Sequence, residues 1–240
     1  MYELFDVHGH FLPGMDDGCK TPGESVQALK MSARQGVKGM FATPHYYSTE
    51  PIGEFLDRRQ EALRRLRAQI EQEQAEVPEV LCGAEVACRP GLSGDPDLYK
   101  LCLGNTRYML LELPWSGWGS EIEREIRNIS CVCGIMPILA HLERYIYMGI
   151  AGKDQISRLL QMDLLVQVNA ESFMSFSGRR AIGRLKRQNM IHLLGSDCHN
   201  VTTRSPNLGP VCQYMRGHGM GELHERMTRL AKELFEAEKP

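Results

Sequence analysis

Ile191-His192-Leu193-Leu194-Gly195-Ser196-Asp197-Cys198-His199-Asn200 sets a short apolar run against a polar tip. Leu193-Leu194-Gly195 has the length of a buried strand. It ends in Asp197, Cys198 and His199, side chains that can hold a metal or attack a phosphate. The pattern recurs at Phe5–His10, Met40–His45, Leu81–Glu85, Met109–Glu112 and Ile138–His141. Each run carries its ligand-type residue at the C-terminal end, where α/β barrels place their active-site groups. The rest of the chain reads as scaffold for this ring of tips.

The runs alternate with helical periodicity. Strands are expected over 3–8, 38–43, 80–86, 108–113, 136–140, 164–168 and 192–195, and repeated β-then-α units predict a parallel sheet. Tips on so many strands favour closure, so the expected fold is α/β, a distorted seven-stranded (β/α) TIM-like barrel in one domain spanning residues 1–240. Thr21 and Glu24 have the spacing of a capping box around Pro22, with Gly36 closing that helix. Over 52–74, Ile52, Phe55, Leu56, Leu63, Leu66 and Ile70 share one helical face. The opposite face carries Arg58, Arg59, Arg64, Arg65 and Arg67 among Glu and Gln, which reads as a solvated face.

Composition excludes several classes. The 240 residues carry a formal charge of −2, so no global basic field argues for nucleic acid. No apolar stretch approaches the roughly 18 residues of a membrane span. Met1 runs directly into a strand, without a signal-peptide pattern, so a cytoplasmic protein is expected. The eight cysteines follow no disulfide framework and read mostly as small buried hydrophobes. His192 is expected at the barrel wall, and His218 and His224 on the surface of C-terminal helices.

The tips together are His8, His10, Asp17, His45, Glu85, Glu112, His141, Asp197 and His199, five imidazoles and four carboxylates. One zinc site needs only three or four ligands, so the set is large enough for more than one ion. Mixed imidazole and carboxylate donors suit Mn²⁺, Fe²⁺ or Zn²⁺. Three divalent ions would bring six positive charges against the four carboxylates, leaving two for a phosphate dianion to cancel.

The segments HGHFLPGMDDG (8–18), ATPHY (42–46), GAEV (83–86), LLELP (110–114), AHLERY (140–145) and SDCHN (196–200) resemble the PHP (polymerase and histidinol phosphatase) superfamily. Within it they are most similar to the bacterial manganese-dependent protein-tyrosine phosphatases of capsule and exopolysaccharide operons. The resemblance runs from residue 4 to about 206, with Gly9 standing where Ser is common. It implies a trinuclear manganese site that hydrolyses phosphotyrosine by a metal-bound hydroxide, with a tyrosine autokinase of capsule synthesis as the substrate protein. On that resemblance His8, His10, Glu85 and Asp197 hold one ion. Glu85 bridges to a second shared with Glu112 and His141, and Asp17, His45 and His199 take the third. Arg144 and Arg204 would face the substrate, since guanidinium forks suit phosphate oxygens.

Rival readings share these residues. Cys198 to Ser205 matches C-x5-R-S, the signature of cysteine-dependent tyrosine phosphatases, but its intervening residues contain no Gly to form a phosphate loop. Histidinol phosphate, a nucleotide or sugar phosphate, or a nucleic-acid end are alternative substrates of a PHP site. A metal-binding regulatory module without turnover is the non-enzymatic alternative. Trp115, Trp118, Tyr46 and Tyr47 follow ligand strands and are either a rim for a phenyl ring or packing.

Overall fold

The structure is a computed structural model and describes residues 3–237. Its strands are β1 (Leu4–Asp6), β2 (Val37–Ala42), β3 (His45–Tyr46), β4 (Glu79–Cys82), β5 (Glu85–Ala87), β6 (Tyr108–Glu112), β7 (Met136–Leu139), β8 (Leu165–Asn169) and β9 (Leu193–Gly195). Every pairing among them is parallel. They form one sheet of three strands, β1-β2-β4, and one of six, β3-β5-β6-β7-β8-β9.

The expected second and third strands are each broken in two, and the breaks coincide. Pro44 has no N–H to give, and the chain kinks at Thr43-Pro44. The neighbouring strand breaks at Gly83-Ala84. Pairing survives both, because Gly83 N donates to Ala42 O at 2.8 Å and Glu85 N to Pro44 O at 3.1 Å. The kink turns His45 and Glu85, partners in register, toward the same interior. At the other end of the strand order, Asp197 N donates to His8 O at 2.9 Å and His10 N to Cys198 O at 2.8 Å. Residues just beyond β9 therefore bond to residues just beyond β1.

The helices are α1 (Pro22–Arg34), α2 (Ile52–Glu73), α3 (Ser120–Cys131), α4 (Leu142–Tyr147), α5 (Lys153–Leu159), α6 (Phe176–Arg187), α7 (Leu208–Gly217) and α8 (Gly221–Glu236). Thr21 caps α1 by accepting from Glu24 N at 3.2 Å, while the Glu24 carboxylate returns to Lys20 N, one residue earlier than the box spacing implies. α4 was not anticipated, because six residues hold too little of the helical period to register. The arginines of α2 are largely spent on the chain itself. Arg58 pairs with Glu50 and Arg64 with Glu61, while Arg59 binds Gly83 O at 2.7 Å and Arg65 binds Pro13 O at 2.5 Å. Among the described residues no helix is long and apolar enough to cross a membrane.

Two apolar layers follow from the period of two along each strand. Outward residues such as Met40, Met109, Leu111 and Val166 pack with the helices. Inward residues Phe5, Val7, Phe41, Leu110, Ile138 and Leu193 form a second cluster with Leu234 and Phe235 of α8. The Phe235 ring lies 5.2 Å from Phe5 and 5.3 Å from Phe41. α8 thereby fills the N-terminal end of the strands with hydrocarbon, leaving the C-terminal end for polar groups. His224, expected at the surface, is buried in α8, because the helix turns that face inward.

Candidate metal centre

All nine tips converge at the C-terminal end of the strands. His8 and His10 follow β1, and Nε2 of one lies 3.1 Å from Nε2 of the other. Oε2 of Glu85 sits 3.3 Å from His8 Nε2, 3.2 Å from His10 Nε2 and 3.0 Å from His45 Nδ1. Its Oε1 lies 2.9 Å from His141 Nε2, which is 3.7 Å from Glu112 Oε1. Asp197 Oδ1 approaches His8, His10 and His199 at 3.5–3.6 Å. Asp17, on the exposed loop after His10, reaches His199 Nε2 at 3.3 Å and His45 Nε2 at 3.5 Å. Donor atoms of His10, Asp17, His45 and His199 all lie within 4.8 Å of one another, as do those of His8, His10 and Glu85, and those of His45, Glu85 and Glu112. These groups overlap the expected threefold partition but move His10 toward the Asp17 group and His45 toward Glu112.

Hydrogen positions follow from the surroundings. Gln167 Oε1 accepts the backbone N–H of His141 at 2.8 Å, so its carbonyl side faces inward and accepts a hydrogen bond from His8 Nδ1 at 3.2 Å. His10 Nδ1 donates to Asp16 Oδ2 at 2.7 Å. In their neutral forms both imidazoles therefore turn Nε2 lone pairs toward one another and toward a carboxylate. Lone pairs so placed repel unless a cation lies between them. Glu85 Oε2, His141 Nδ1 and His199 Nε2 are buried without a hydrogen-bond partner among the described residues, although buried polar groups are nearly always satisfied. Convergent lone pairs, orphaned donors and an absence of thiolate fit divalent ions of the Mn²⁺, Fe²⁺ or Zn²⁺ type.

The field points the same way. Burial alone would raise the Glu85 carboxyl, yet the charge of His8 and the imidazoles of His10, His141 and His45 packed around it hold it well below the carboxylate range. Asp197 is likewise held low against burial by His8, His10 and His141. His10 is raised well above its ordinary value because Asp16 and Glu85 outweigh its burial. Burial and then the charge of His10 push His199 down to about 4, so it is neutral and free to donate a lone pair at pH 7. A site that attracts a proton this strongly between carboxylates attracts a metal cation for the same reason.

Backbone strain concentrates here. His141 has φ 35° and Asp197 φ 52°, left-handed values that cost a residue with a Cβ about 1–2 kcal/mol. Strain of this kind persists where the surroundings over-determine it, often at functional sites.

A family model described as capsular polysaccharide synthesis, CpsB/CapC, matches residues 4–233. The chain belongs to the CpsB/CapC family. It is 29% identical over 213 residues to YwqE of Bacillus subtilis, named a tyrosine-protein phosphatase, covering 84% of this chain and 80% of the relative. With CpsB of Streptococcus pneumoniae, also named a tyrosine-protein phosphatase, it shares 30% over 225 residues, 85% of this chain and 86% of that one. Crystal structures of YwqE and CpsB, described as metal-dependent tyrosine phosphatases, provide a chain that superposes with a TM-score of 0.83 at 26% identity, covering 99% of this chain and 96% of that one.

Around the centre of this CpsB/CapC chain, several residues act that the sequence reading passed over. β8 carries no tip, yet Gln167 and Asn169 point inward from it. Gln167 Nε2 donates to Asn169 Oδ1 at 2.9 Å, and Asn169 Nδ2 donates to Asp197 Oδ2 at 2.8 Å. One amide relay thus runs from His8 to Asp197. Two amides spaced by two in an apolar strand were the available signal. Gly195 makes room for it, since a Cβ there would stand 2.6 Å from His8 Cβ and 2.8 Å from Gln167 Nε2. Asp16, in the loop after His10, also accepts the N–H of His45 at 2.9 Å and of Gly18 at 2.8 Å.

The two arginines flank Asp197. Arg204 Nη2 donates to its Oδ2 at 2.8 Å and Arg144 Nη1 at 3.4 Å. Glu143, its neighbour in sequence, is buried against Asn169 N and Ser172 Oγ and forms no ion pair with Arg144. The Arg144 guanidinium instead lies 4.9 Å over the Trp115 ring. Trp115 donates to Glu112 Oε1 at 2.8 Å and stays 37% exposed, while Trp118 is 8% exposed. Tyr47 stacks on His45 at 5.0 Å with its face exposed, whereas Tyr46 is core. Trp115 and Tyr47 are therefore rim, and Trp118 and Tyr46 are packing.

Cys198 faces away from this chemistry. It is buried in the apolar layer, and burial with the charge of Asp6 pushes its thiol far above neutrality. A thiol held protonated is not a nucleophile.

Proposed function

We propose that this chain is a metal-dependent protein-tyrosine phosphatase acting on a phosphotyrosine protein, a tyrosine autokinase of capsule synthesis, in the cytoplasm. The observation that carries the reading is the convergence of His8 and His10 lone pairs on Glu85, beside an Asp197 flanked by two guanidinium groups. The named activity of its relatives and the capsule description of its family support the same reading. Eight unpaired cysteines suit a reducing compartment. We further propose that residues 1–240 act as one PHP-type unit, its strands closing into a distorted seven-stave barrel through the bonds between residues 8–10 and 197–198.

His8, His10, Glu85 and Asp197, then Glu112 and His141, then Asp17, His45 and His199 are the residues that would hold up to three ions, Mn²⁺ by preference. When bound, such ions activate water at neutral pH and neutralise phosphoryl oxygens during in-line displacement. The protein does the rest. Gln167 and Asp16 keep the Nδ1 protons in place, so His8 and His10 always present Nε2. Arg204 and Arg144 turn from Asp197 to grip the phosphate, matching its oxygens with planar forks. Trp115 and Tyr47 offer faces to the phenyl ring. A phenol leaves with a pKa of about 10, so no strong general acid is required.

A panel of phosphotyrosine peptide, phosphoserine peptide and histidinol phosphate, each with Mn²⁺ or chelator, tests the assignment. Mn²⁺-dependent release from the phosphotyrosine peptide, at least about tenfold above the others, is expected. Turnover that ignores the chelator, or that favours histidinol phosphate, overturns it.

A further inference from the structure

Eight large apolar side chains stand exposed among the described residues, and six of them follow strands that line the centre: Tyr47, Trp115, Tyr147, Met148, Met174 and Phe176. Phe176 is 78% exposed. Tyr147, Met148, Met174 and Phe176 belong to or flank the packed helices α4 and α6, and clustered apolar exposure marks a contact surface. Within this rim α4 packs against α6 and leaves a cleft of about 210 Å³, lined by Ile146, Tyr147, Ser177, Arg180, Ala181 and Arg184. Arg184 is half-buried and Arg180 exposed, and neither makes an ion pair among the described residues. A partly desolvated guanidinium without a counter-charge is stabilised by an incoming carboxylate.

α4 contributes to both the cleft and the surroundings of the centre. Arg144, which reaches Asp197, and Tyr147, which lines the cleft, are three residues apart and share a helical face. The helix rises only about 4.5 Å between them. An extended peptide covers that distance in one or two residues, at about 3.3 Å each.

We propose that the cleft between α4 and α6 binds an acidic segment close to the phosphotyrosine in the substrate protein. Its carboxylates pair with Arg180 and Arg184, and its apolar side chains lie on Tyr147 and Phe176. This assignment rests on the phosphotyrosine reading above and adds sequence preference to it.

The test compares kcat and KM for phosphotyrosine peptides with acidic or neutral flanks, and for p-nitrophenyl phosphate, which has no flanks. The enzymes are the Mn²⁺-loaded parent protein, Arg180→Gln/Arg184→Gln and Arg180→Glu/Arg184→Glu. The parent should prefer the acidic peptide about tenfold in kcat/KM, through KM and more weakly at high salt. The Gln variant should lose that preference and the Glu variant invert it, with p-nitrophenyl phosphate turnover unchanged as the check on folding. Equal handling of both peptides by the parent, or a preference that survives both variants, overturns the docking assignment and leaves the phosphatase reading intact. Absence of turnover on every substrate overturns both.

Discussion

Nδ1 of His10 lies 2.7 Å from Oδ2 of Asp16, and that contact determines which nitrogen of the ring faces the centre. A carboxylate behind a ligating imidazole orients the ring and raises its basicity, and losing one commonly costs 10–100-fold in metal affinity. Asp16→Asn should therefore weaken Mn²⁺ binding by about tenfold or more. Chelator competition measures it, and an unchanged affinity would remove Asp16 from the orienting role.

The two nucleophile readings part at Cys198. With its thiol buried and protonated, Cys198→Ser should keep turnover within roughly threefold while costing about 1–3 kcal/mol of stability for a buried hydroxyl. His141→Ala should lose activity by roughly a thousandfold or more. The reverse pattern in steady-state kinetics would revive cysteine catalysis.

Strain at His141 gives a prediction that needs no activity. In chelated protein, His141→Gly should be more stable than His141→Ala by about 1 kcal/mol, because φ 35° penalises a Cβ. Elsewhere glycine is normally the less stable of the two. Denaturant unfolding reads the order directly, and alanine ranking above glycine would refute the strain.

Asp6 ties β1 to β9 by accepting Ser196 N at 2.9 Å and His8 N at 3.2 Å. Burial raises its carboxyl from 3.8 to about 6, against the lowering effect of those bonds. The folded state thus holds this proton more tightly than the unfolded chain. The stabilising contribution is complete below about pH 4 and is lost as pH rises through about 6. Measured as the difference from Asp6→Asn, the parent should lose up to about 3 kcal/mol of stability between pH 4 and 8. A difference that is flat in pH, or that grows with it, would contradict the shift.

The convergence of the candidate tips, Asp17 apart, was readable because each closes an apolar run, and a run of strand length can place its terminal residue only at the end of a buried sheet. His8, Glu85, Glu112, His141 and Asp197 were visible on that ground. Thr21 and Gly36 marked a helix for equally local reasons, since a cap acts on neighbouring backbone. The surroundings of the ligands were not legible. Asp16 looks like a turn residue, and Gln167 and Asn169 look like interruptions of a strand, until the fold places them behind His10, His8 and Asp197.

Sequence alone determined the alternation of strands and helices, though not α4 or the two broken strands, and the kind of atom at each tip, because hydrophobic period and residue chemistry are properties of a few neighbouring residues. Only the tertiary structure decided that His8 and His10 turn Nε2 inward, that Trp115 is rim while Trp118 is packing, and that Cys198 points into hydrocarbon. Those outcomes depend on which distant side chain occupies the adjacent space, and contacts between residues 8 and 167, or 6 and 196, exist only after the chain has closed on itself.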